Sequence, residues 1–97
     1  MTGKQRAYLR SLATGLETII YVGKGGITEP VIRQTEEALA ARELIKGRVL
    51  EASLLTAREA CEMLAEATGA EGVQNIGSRF VLYKPNPEAP QITLPRA

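Results

Sequence analysis

The stretch Thr18-Ile19-Ile20-Tyr21-Val22, Gly23-Lys24-Gly25-Gly26, Ile27-Thr28-Glu29-Pro30 is typical of a strand, a tight loop and a helix start in succession. β-Branched and aromatic residues favour a buried strand. Thr28 is a good N-cap, and Pro30 is tolerated in the first turn of a helix. A strand that leads directly into a helix is the building block of an α/β fold.

Helical and strand-like periodicity continues on both sides of this stretch. A first helix is predicted from Lys4 to about Thr14, and the helix capped by Thr28 reaches about Arg42. Leu44 to Glu51 is strand-like, although Gly47 weakens this strand or marks a bulge. Thr56 is a candidate cap for a third helix that ends near Gly69.

The last two predicted strands form a hairpin. Val73 to Ile76 and Phe80 to Tyr83 are joined by Gly77-Ser78, a pair suited to a type II′ turn. Right-handed crossovers make the first two strands parallel, and the hairpin adds antiparallel pairing. The sequence therefore predicts a two-layer α/β domain of order αβαβαββ with a four-stranded mixed sheet over residues 1–84. Residues 85–97 contain four prolines and predict an extended tail.

Composition excludes several classes of function. The chain of 97 residues contains no His, no Asp and a single Cys, Cys61, interpreted as a small buried hydrophobe. His-based triads and zinc sites built on His or on several thiolates are therefore excluded, and no motif supports catalysis by Glu, Lys, Ser or Tyr. We expect no enzymatic activity, no metal and no cofactor. No apolar run approaches 18 residues and no signal-peptide pattern is present, so the expected location is the cytoplasm, without membrane association.

Charge is distributed unevenly, although the net charge is only +1. Residues 1–35 carry a net charge of +3, residues 36–71 carry −4 and residues 72–97 carry +2. If the two ends of the chain meet in space, they form a mildly basic face opposite an acidic one.

The glycine-framed loop Gly23–Gly26 is the segment most suited to a ligand. Glycine allows close approach of backbone N–H groups, and the helix that follows adds unpaired N–H groups and a partial positive charge. This combination suits a phosphate. A Walker-type loop is disfavoured because no Gly-Lys-[Ser/Thr] ends it and Lys24 comes too early. A Gly-x-x-Gly pattern alone is weak, and turn geometry is the alternative explanation. KH domains hold the backbone of single-stranded nucleic acid with such a loop.

The chain resembles the CRM domain, an RNA-binding module, and in particular its bacterial stand-alone YhbY type. The resemblance rests on segments spread along almost the whole chain: Lys4-Gln5-Arg6, Tyr8-Leu9-Arg10, Val22 to Glu29, Glu43 to Lys46, Gln74 to Gly77, Val81 to Lys84 and Leu94-Pro95-Arg96. It implies a fold similar to the C-terminal domain of bacterial translation initiation factor three. It also implies binding of structured RNA in precursors of the large ribosomal subunit, without enzymatic activity.

By position, the resemblance places RNA contacts on Gly23, Lys24, Gly25 and Gly26, and extends them to Lys4, Arg6 and Arg10 on the first helix. Thr28 belongs to the same matched segment and completes the loop. Three further cations are candidates: Lys46, Arg79 and Lys84. The alternative for Lys46 is a solvated edge charge.

Other charged and aromatic residues have simpler interpretations. Arg33 and Arg42 are expected to pair with Glu29, Glu36 or Glu37 at helical spacing. Tyr21 and Tyr83 could stack on bases, but each lies in an apolar strand, so core positions are predicted. The Glu-rich third helix is expected to be a solvated face turned away from RNA.

Three hypotheses of function follow. The first is a non-catalytic RNA-binding protein that assists assembly of the large ribosomal subunit, with Gly25 and Gly26 N–H groups donating to phosphate oxygens. The second is a protein-interaction module that docks on a ribosomal protein or self-associates through a sheet edge, which the acidic third helix favours. The third, an enzyme acting on a phosphorylated small molecule, lacks a general base beside the loop.

Overall fold

A computed structural model describes residues 1–96 of the chain, so Ala97, the last residue of the predicted tail, lies outside the described residues. Three helices and four strands follow one another in the predicted order αβαβαββ. They are α1 (Gly3–Ala13), β1 (Thr18–Val22), α2 (Glu29–Arg42), β2 (Leu44–Val49), α3 (Ala57–Thr68), β3 (Glu71–Ile76) and β4 (Arg79–Tyr83).

The four strands form one mixed sheet in the order β1-β2-β4-β3. The strands β1 and β2 are parallel, with Tyr21 opposite Arg48 and Val22 opposite Val49. The strand β4 runs antiparallel to both β2 and β3. The predicted α/β class, element order and mixed pairing are therefore confirmed. The prediction of two layers is wrong, because α1 packs on the opposite sheet face from α2 and α3 and the domain has three layers. The hairpin turn places Gly77 at a φ of 57°, as the first central position of a type II′ turn requires.

Helices lie on both faces of the sheet. Alternate strand residues point to opposite sides, and both sides carry apolar side chains that a helix buries. On one face, α2 and α3 bury a core built around Ile20, Ile45 and Phe80. On the other face, α1 buries Leu9 and Ala13 against a smaller second core. The sheet side chains in this second core are Leu44, Val73, Val81 and Tyr83. The part of this face that carries Tyr21, Arg48, Ile76 and Arg79 is exposed within the described residues and is called the open part of the sheet face. Within residues 1–96, none of the three helices has the length and apolar character needed to cross a bilayer.

Each helix begins at the threonine that precedes it. Thr2 and Thr56 form reciprocal capping boxes with Gln5 and Glu59, and Thr28 accepts a hydrogen bond from the Val31 N–H. These caps satisfy backbone donors that a helix start leaves unpaired, which fixes where each helix begins. The predicted caps at Thr28 and Thr56 are confirmed, and Gly69 ends α3 in a left-handed conformation with a φ of 73°.

Gly47 has a packing role and also lies beside an irregularity in the sheet. The pairing of β2 with β4 is continuous through Gly47, which lies opposite Phe80. In the pairing of β1 with β2, an irregularity lies between the Thr18–Lys46 pair and the Ile20–Gly47 pair, where β1 has one extra residue. A Cβ on Gly47 would lie 2.2 Å from the Phe80 ring, so the missing side chain makes room for that ring. The prediction that Gly47 weakens the strand is therefore wrong, since β2 continues through it, whereas the predicted irregularity is present beside Gly47 in the pairing with β1.

A buried glutamate holds the segment that follows β4. Glu43 is 1% exposed and has a φ of 64°, and its carboxylate accepts hydrogen bonds from three backbone N–H groups. The donors and distances are Asn86 at 2.6 Å, Gln91 at 2.7 Å and Ile92 at 2.8 Å. Ile92 and Leu94 then pack against the second core, beside α1. Residues 86–94 thus lie against the domain, without forming a helix or strand.

Candidate nucleic-acid interface

The glycine loop is a tight turn whose last residue needs glycine. The Gly26 N–H donates to the Gly23 carbonyl at 3.0 Å, and Gly26 has a φ of 70°. A residue with a Cβ adopts this left-handed conformation at a cost of about 1–2 kcal/mol. The donor predicted at Gly26 is therefore used inside the turn, and the expectation that it would bind a phosphate oxygen is corrected.

The tip of the loop keeps its donors available. Lys24 and Gly25 are exposed, and within residues 1–96 neither backbone N–H has an acceptor. The Thr28 hydroxyl accepts the α2 cap bond from the Val31 N–H at 3.5 Å and retains its own hydrogen for donation. The loop therefore offers two free backbone donors, one hydroxyl donor and one ammonium group to an anion.

Three predicted cations surround one cavity on the open part of the sheet face. The cavity has a volume of about 470 Å³ and is lined by Arg10 from α1, Lys46 from β2 and Arg79 from β4. No carboxylate lines it, and none of the three cations forms an ion pair within the described chain. Because unpaired cations around a concavity attract an anion, the cavity suits a phosphate group.

Arg48 is a surface cation that the sequence prediction missed. It follows Lys46 by two residues on β2, so both side chains share the face that carries the cavity. Its direct neighbours are Tyr21 on β1 and Arg79 on β4. The period-two spacing of Lys46 and Arg48 was the signal that could have found it.

Tyr21 lies on this open face, contrary to the predicted core position. Tyr21 is 50% exposed, whereas Tyr83 is 3% exposed and lies in the second core as predicted. The two tyrosines differ because α1 covers only one of them. Tyr83 pairs with Leu44 beneath α1, whereas Tyr21 pairs with Arg48 outside the part of the sheet that α1 covers. Identical residue types in similar strands thus have different exposure.

Three predicted site residues lie at the other end of the sheet. Arg6 donates to the Gly72 carbonyl and lies 3.6 Å from a Glu71 carboxylate oxygen, at the start of β3. Lys4 precedes it in the first turn of the same helix. Lys84 follows β4 and donates to the Thr68 carbonyl at 2.7 Å, at the end of α3. The structure does not bring these residues to the glycine loop. The first turn of α1 and the last residue of β4 both lie at the end of the sheet opposite to the loop.

The charged side chains of α2 and α3 pair within their own helix or lie away from the cavity. Arg33 pairs with Glu29 at 3.7 Å, as predicted, whereas Arg42 has no ion pair within residues 1–96. The three exposed glutamates of α3, Glu59, Glu62 and Glu66, lie on a helix that packs on the opposite sheet face. These α3 glutamates therefore lie on the opposite side of the sheet from the cavity.

The single cysteine is structural. Cys61 is buried within the main core, and burial, with a smaller contribution from the charge of Glu62, raises the pKa of its thiol to about 11. A thiol with this pKa is almost entirely protonated at neutral pH, which suppresses its reactivity. The prediction of a small buried hydrophobe is confirmed.

Comparison with known proteins identifies the family. The model of the CRS1/YhbY (CRM) domain matches residues 1–84, which include the glycine loop, all four strands and the cavity. The chain belongs to the CRS1/YhbY (CRM) domain family. The resemblance inferred from the sequence segments is therefore confirmed.

Relatives match this CRM chain over nearly its whole length. It is 45% identical over 95 residues to a Bacillus subtilis protein named probable RNA-binding protein YqeI, covering 98% of this chain and 99% of that protein. It is 38% identical over 96 residues to a Haemophilus influenzae protein named RNA-binding protein, covering 99% and 96%. The solution structure of the hypothetical protein SAV1595 from Staphylococcus aureus superposes with a TM-score of 0.82 at 47% identity, covering 98% and 99% of the two chains.

Proposed function

We propose that this CRM protein binds structured RNA without catalysing a reaction, through phosphate contacts at the glycine loop and the neighbouring cations. The observation that carries the proposal is a set of donors without partners within residues 1–96: the Lys24 and Gly25 N–H groups at the loop, and Arg10, Lys46 and Arg79 around the cavity. Phosphate oxygens accept from both kinds of donor. The names of the relatives, probable RNA-binding protein and RNA-binding protein, support the same class of ligand.

The RNA that we propose is ribosomal RNA in precursors of the large subunit, with a role in ribosome assembly in the cytoplasm. This part rests on the family resemblance to the YhbY type. Contacts to phosphates select RNA by shape and carry little sequence information. A folded precursor RNA, in which backbone geometry is well defined, is the kind of target that such a surface distinguishes.

The proposed contact set is narrower than the one predicted from the sequence. It keeps Gly23, Lys24, Gly25, Thr28, Arg10, Lys46 and Arg79, with Gly26 shaping the turn. Lys4, Arg6 and Lys84 are left out because they lie at the far end of the sheet. Four cations and the loop amides correspond to roughly three to five phosphates, so affinity should be modest and strongly dependent on salt.

A pair of matched charge reversals tests the site. Lys24→Glu should weaken binding to a fragment of precursor ribosomal RNA about three- to tenfold and reduce the salt slope by about 1, because one phosphate contact is lost. Lys4→Glu makes the same charge change at the far end of the sheet and should leave affinity within about twofold of wild type. Both residues are exposed, so thermal melting should be almost unchanged. Equal effects of the two substitutions would contradict the proposed site.

A second candidate function is docking on a ribosomal protein. It is favoured by Leu54, which is 96% exposed in the loop before α3, next to Leu55, whose methyl carbon lies 3.7 Å from the Cβ position of Gly26. Contiguous exposed apolar surface occurs at protein contacts, and Leu50 in the same loop is also 37% exposed. Pull-down from cell extract before and after RNase treatment separates the two functions, since a protein partner would survive digestion and an RNA-mediated one would not.

A further inference from the structure

We propose that the open part of the sheet face beside α1 binds unpaired RNA nucleotides, with the Tyr21 ring stacking on a base between flanking arginines. This inference rests on the proposed RNA-binding function and goes beyond it, because phosphate contacts at the glycine loop do not require an unpaired base. The surface is defined here as the stacking platform and consists of Tyr21, Arg48, Arg79 and Ile76.

The platform is a single row across all four strands. Tyr21 lies opposite Arg48, Arg48 opposite Arg79, and Arg79 opposite Ile76. Cross-strand neighbours in register lie about 5 Å apart, so the four side chains form a continuous strip on one face. Its two outer positions are apolar or aromatic and well exposed, with Tyr21 at 50% and Ile76 at 64%. Its two inner positions are guanidinium groups, which themselves stack on bases.

The Tyr21 ring lies back along its own strand. Its hydroxyl donates to the carbonyl of Thr18, three residues earlier on β1, at 3.3 Å. A ring anchored at its far end in this way lies along the strand instead of projecting into solvent. The ring is therefore held beside β1, next to Arg48 and half exposed, and it needs little ordering when a base stacks on it.

The surroundings select a polyanion with flat faces. The next row toward α1 contains Lys46, which lines the cation-rich cavity with Arg10 and Arg79, and no carboxylate of residues 1–96 lines that cavity. Single-stranded nucleic acid combines a charged backbone with exposed base faces, and base–aromatic stacking tolerates any base. A duplex presents its phosphates and hides its base faces. An acidic protein segment would match the charge without using the ring.

The platform is continuous with the glycine loop. Tyr21 is followed by Val22 and then by Gly23–Gly26, and Val22 pairs with Val49 at the same end of the sheet as Arg48. An RNA strand whose phosphates lie on the Lys24 and Gly25 amides therefore has a path onto the Tyr21 ring. The preferred RNA element is a loop, bulge or junction in which a backbone-contacted strand carries an unpaired base.

The experiment compares two RNA probes and three variants of the full chain. The probes are an oligoadenylate strand of about 12 nucleotides and an RNA duplex of about 12 base pairs, lengths within the range covered by one small domain. Tyr21→Thr removes the ring and keeps a residue suited to a strand, and Tyr21→Phe keeps the ring without the hydroxyl. Lys24→Glu reports on the phosphate contacts.

Tyr21→Thr should weaken binding to the single strand about fivefold or more and leave binding to the duplex within about twofold. Tyr21→Phe should bind both probes within about threefold of wild type. Lys24→Glu should weaken binding to both probes. Equal affinity of wild type and Tyr21→Thr for the single strand, with Lys24→Glu still impaired, would overturn the platform and leave the proposed function intact. Failure of the wild type to bind either probe would overturn both.

A fluorescence measurement reports stacking directly. The chain contains no Trp, so Tyr21→Trp introduces a single indole on the platform. Its emission should be quenched when the single strand binds and much less when the duplex binds. Tyr8→Trp, an exposed position on α1 that does not line the cavity, is the control and should show little quenching by either probe. Unquenched emission of the Tyr21→Trp variant at saturating single strand would contradict stacking and favour a charge-only contact, as an acidic protein segment would make.

Discussion

The ring of Phe80 lies directly over Gly47, its cross-strand neighbour, so closely that a Cβ on Gly47 would lie 2.2 Å from the ring carbon Cζ. Phe80 is almost fully buried, at the centre of the main core. Glycine at position 47 thus lets an aromatic side chain lie against the backbone of the neighbouring strand. This contact joins β2 to β4, and these two strands carry Lys46, Arg48 and Arg79 on the opposite face.

Gly47→Ala should destabilise the protein by about 1–3 kcal/mol, because the added methyl group forces the Phe80 ring or a strand to move. Urea denaturation measures the change in the free energy of unfolding. Gly15→Ala is the control, since within residues 1–96 a Cβ there would meet no atom of a non-adjacent residue within 4 Å, and it should change stability by less than about 0.5 kcal/mol. Combining Gly47→Ala with Phe80→Leu should cost less than the sum of the single changes. Strict additivity would show that the ring is not the obstacle.

Glu43 should make stability dependent on pH in the acid range. Hydrogen bonds from backbone N–H groups, that of Asn86 first, hold the pKa of Glu43 below its ordinary value of 4.5, although burial opposes them. A carboxyl group whose pKa is lower in the folded state than in the unfolded state stabilises the folded protein at pH values above the unfolded-state pKa. This stabilisation is lost as the pH falls through the folded-state pKa. The free energy of unfolding should therefore decline as pH drops below about 4.5.

Glu43→Gln isolates that contribution. At about pH 7 it should cost about 2 kcal/mol, because charge-assisted hydrogen bonds to three amides are replaced by weaker ones. The difference between the variant and wild type should shrink as acid protonates Glu43 in the wild type. Amide exchange of Asn86, Gln91 and Ile92, measured by NMR, should accelerate in the variant. A difference that is constant down to about pH 2 would contradict this assignment.

Gly26 should tolerate asparagine better than alanine. Its φ of 70° is left-handed, and Asn enters that region more readily than Ala. Gly26→Ala should lower stability by about 1 kcal/mol, and Gly26→Asn by roughly half as much. Thermal melting at fixed protein concentration measures both. Gly25→Ala, where φ is not positive, should cost less than Gly26→Ala, and the reverse order would contradict the turn geometry.

Cys61 should be unreactive in the folded protein. Its thiol is buried and burial raises its pKa to about 11, so little thiolate is present at neutral pH. Labelling by a maleimide should proceed only after addition of denaturant, at a rate that reports opening of the core. Rapid labelling of the native protein, checked by mass spectrometry, would show that α3 separates from the sheet more often than this packing allows.

Local structure was largely predictable from the sequence. The strand Thr18–Val22, the helix starts after Thr28 and Thr56, and the hairpin at Gly77 were all predicted, because side-chain periodicity and capping act over a few residues. The region of the candidate loop was visible for the same reason. The hydrogen bond from the Gly26 N–H to the Gly23 carbonyl could not be predicted, since an amide in a glycine loop can face inward or outward without any change in the sequence pattern.

The sequence by itself determined the order of the elements, the α/β class, and a glycine loop placed between a strand and a capped helix. Only the tertiary structure decided which cations share a surface. Strand pairing brought Arg48 between Tyr21 and Arg79, and the direction of α1 carried Lys4 and Arg6 away from the loop while leaving Arg10 at the cavity. The physical reason is that exposure and proximity depend on which part of a sheet face a helix covers. That packing is set by contacts between residues far apart in the chain, which no local pattern encodes.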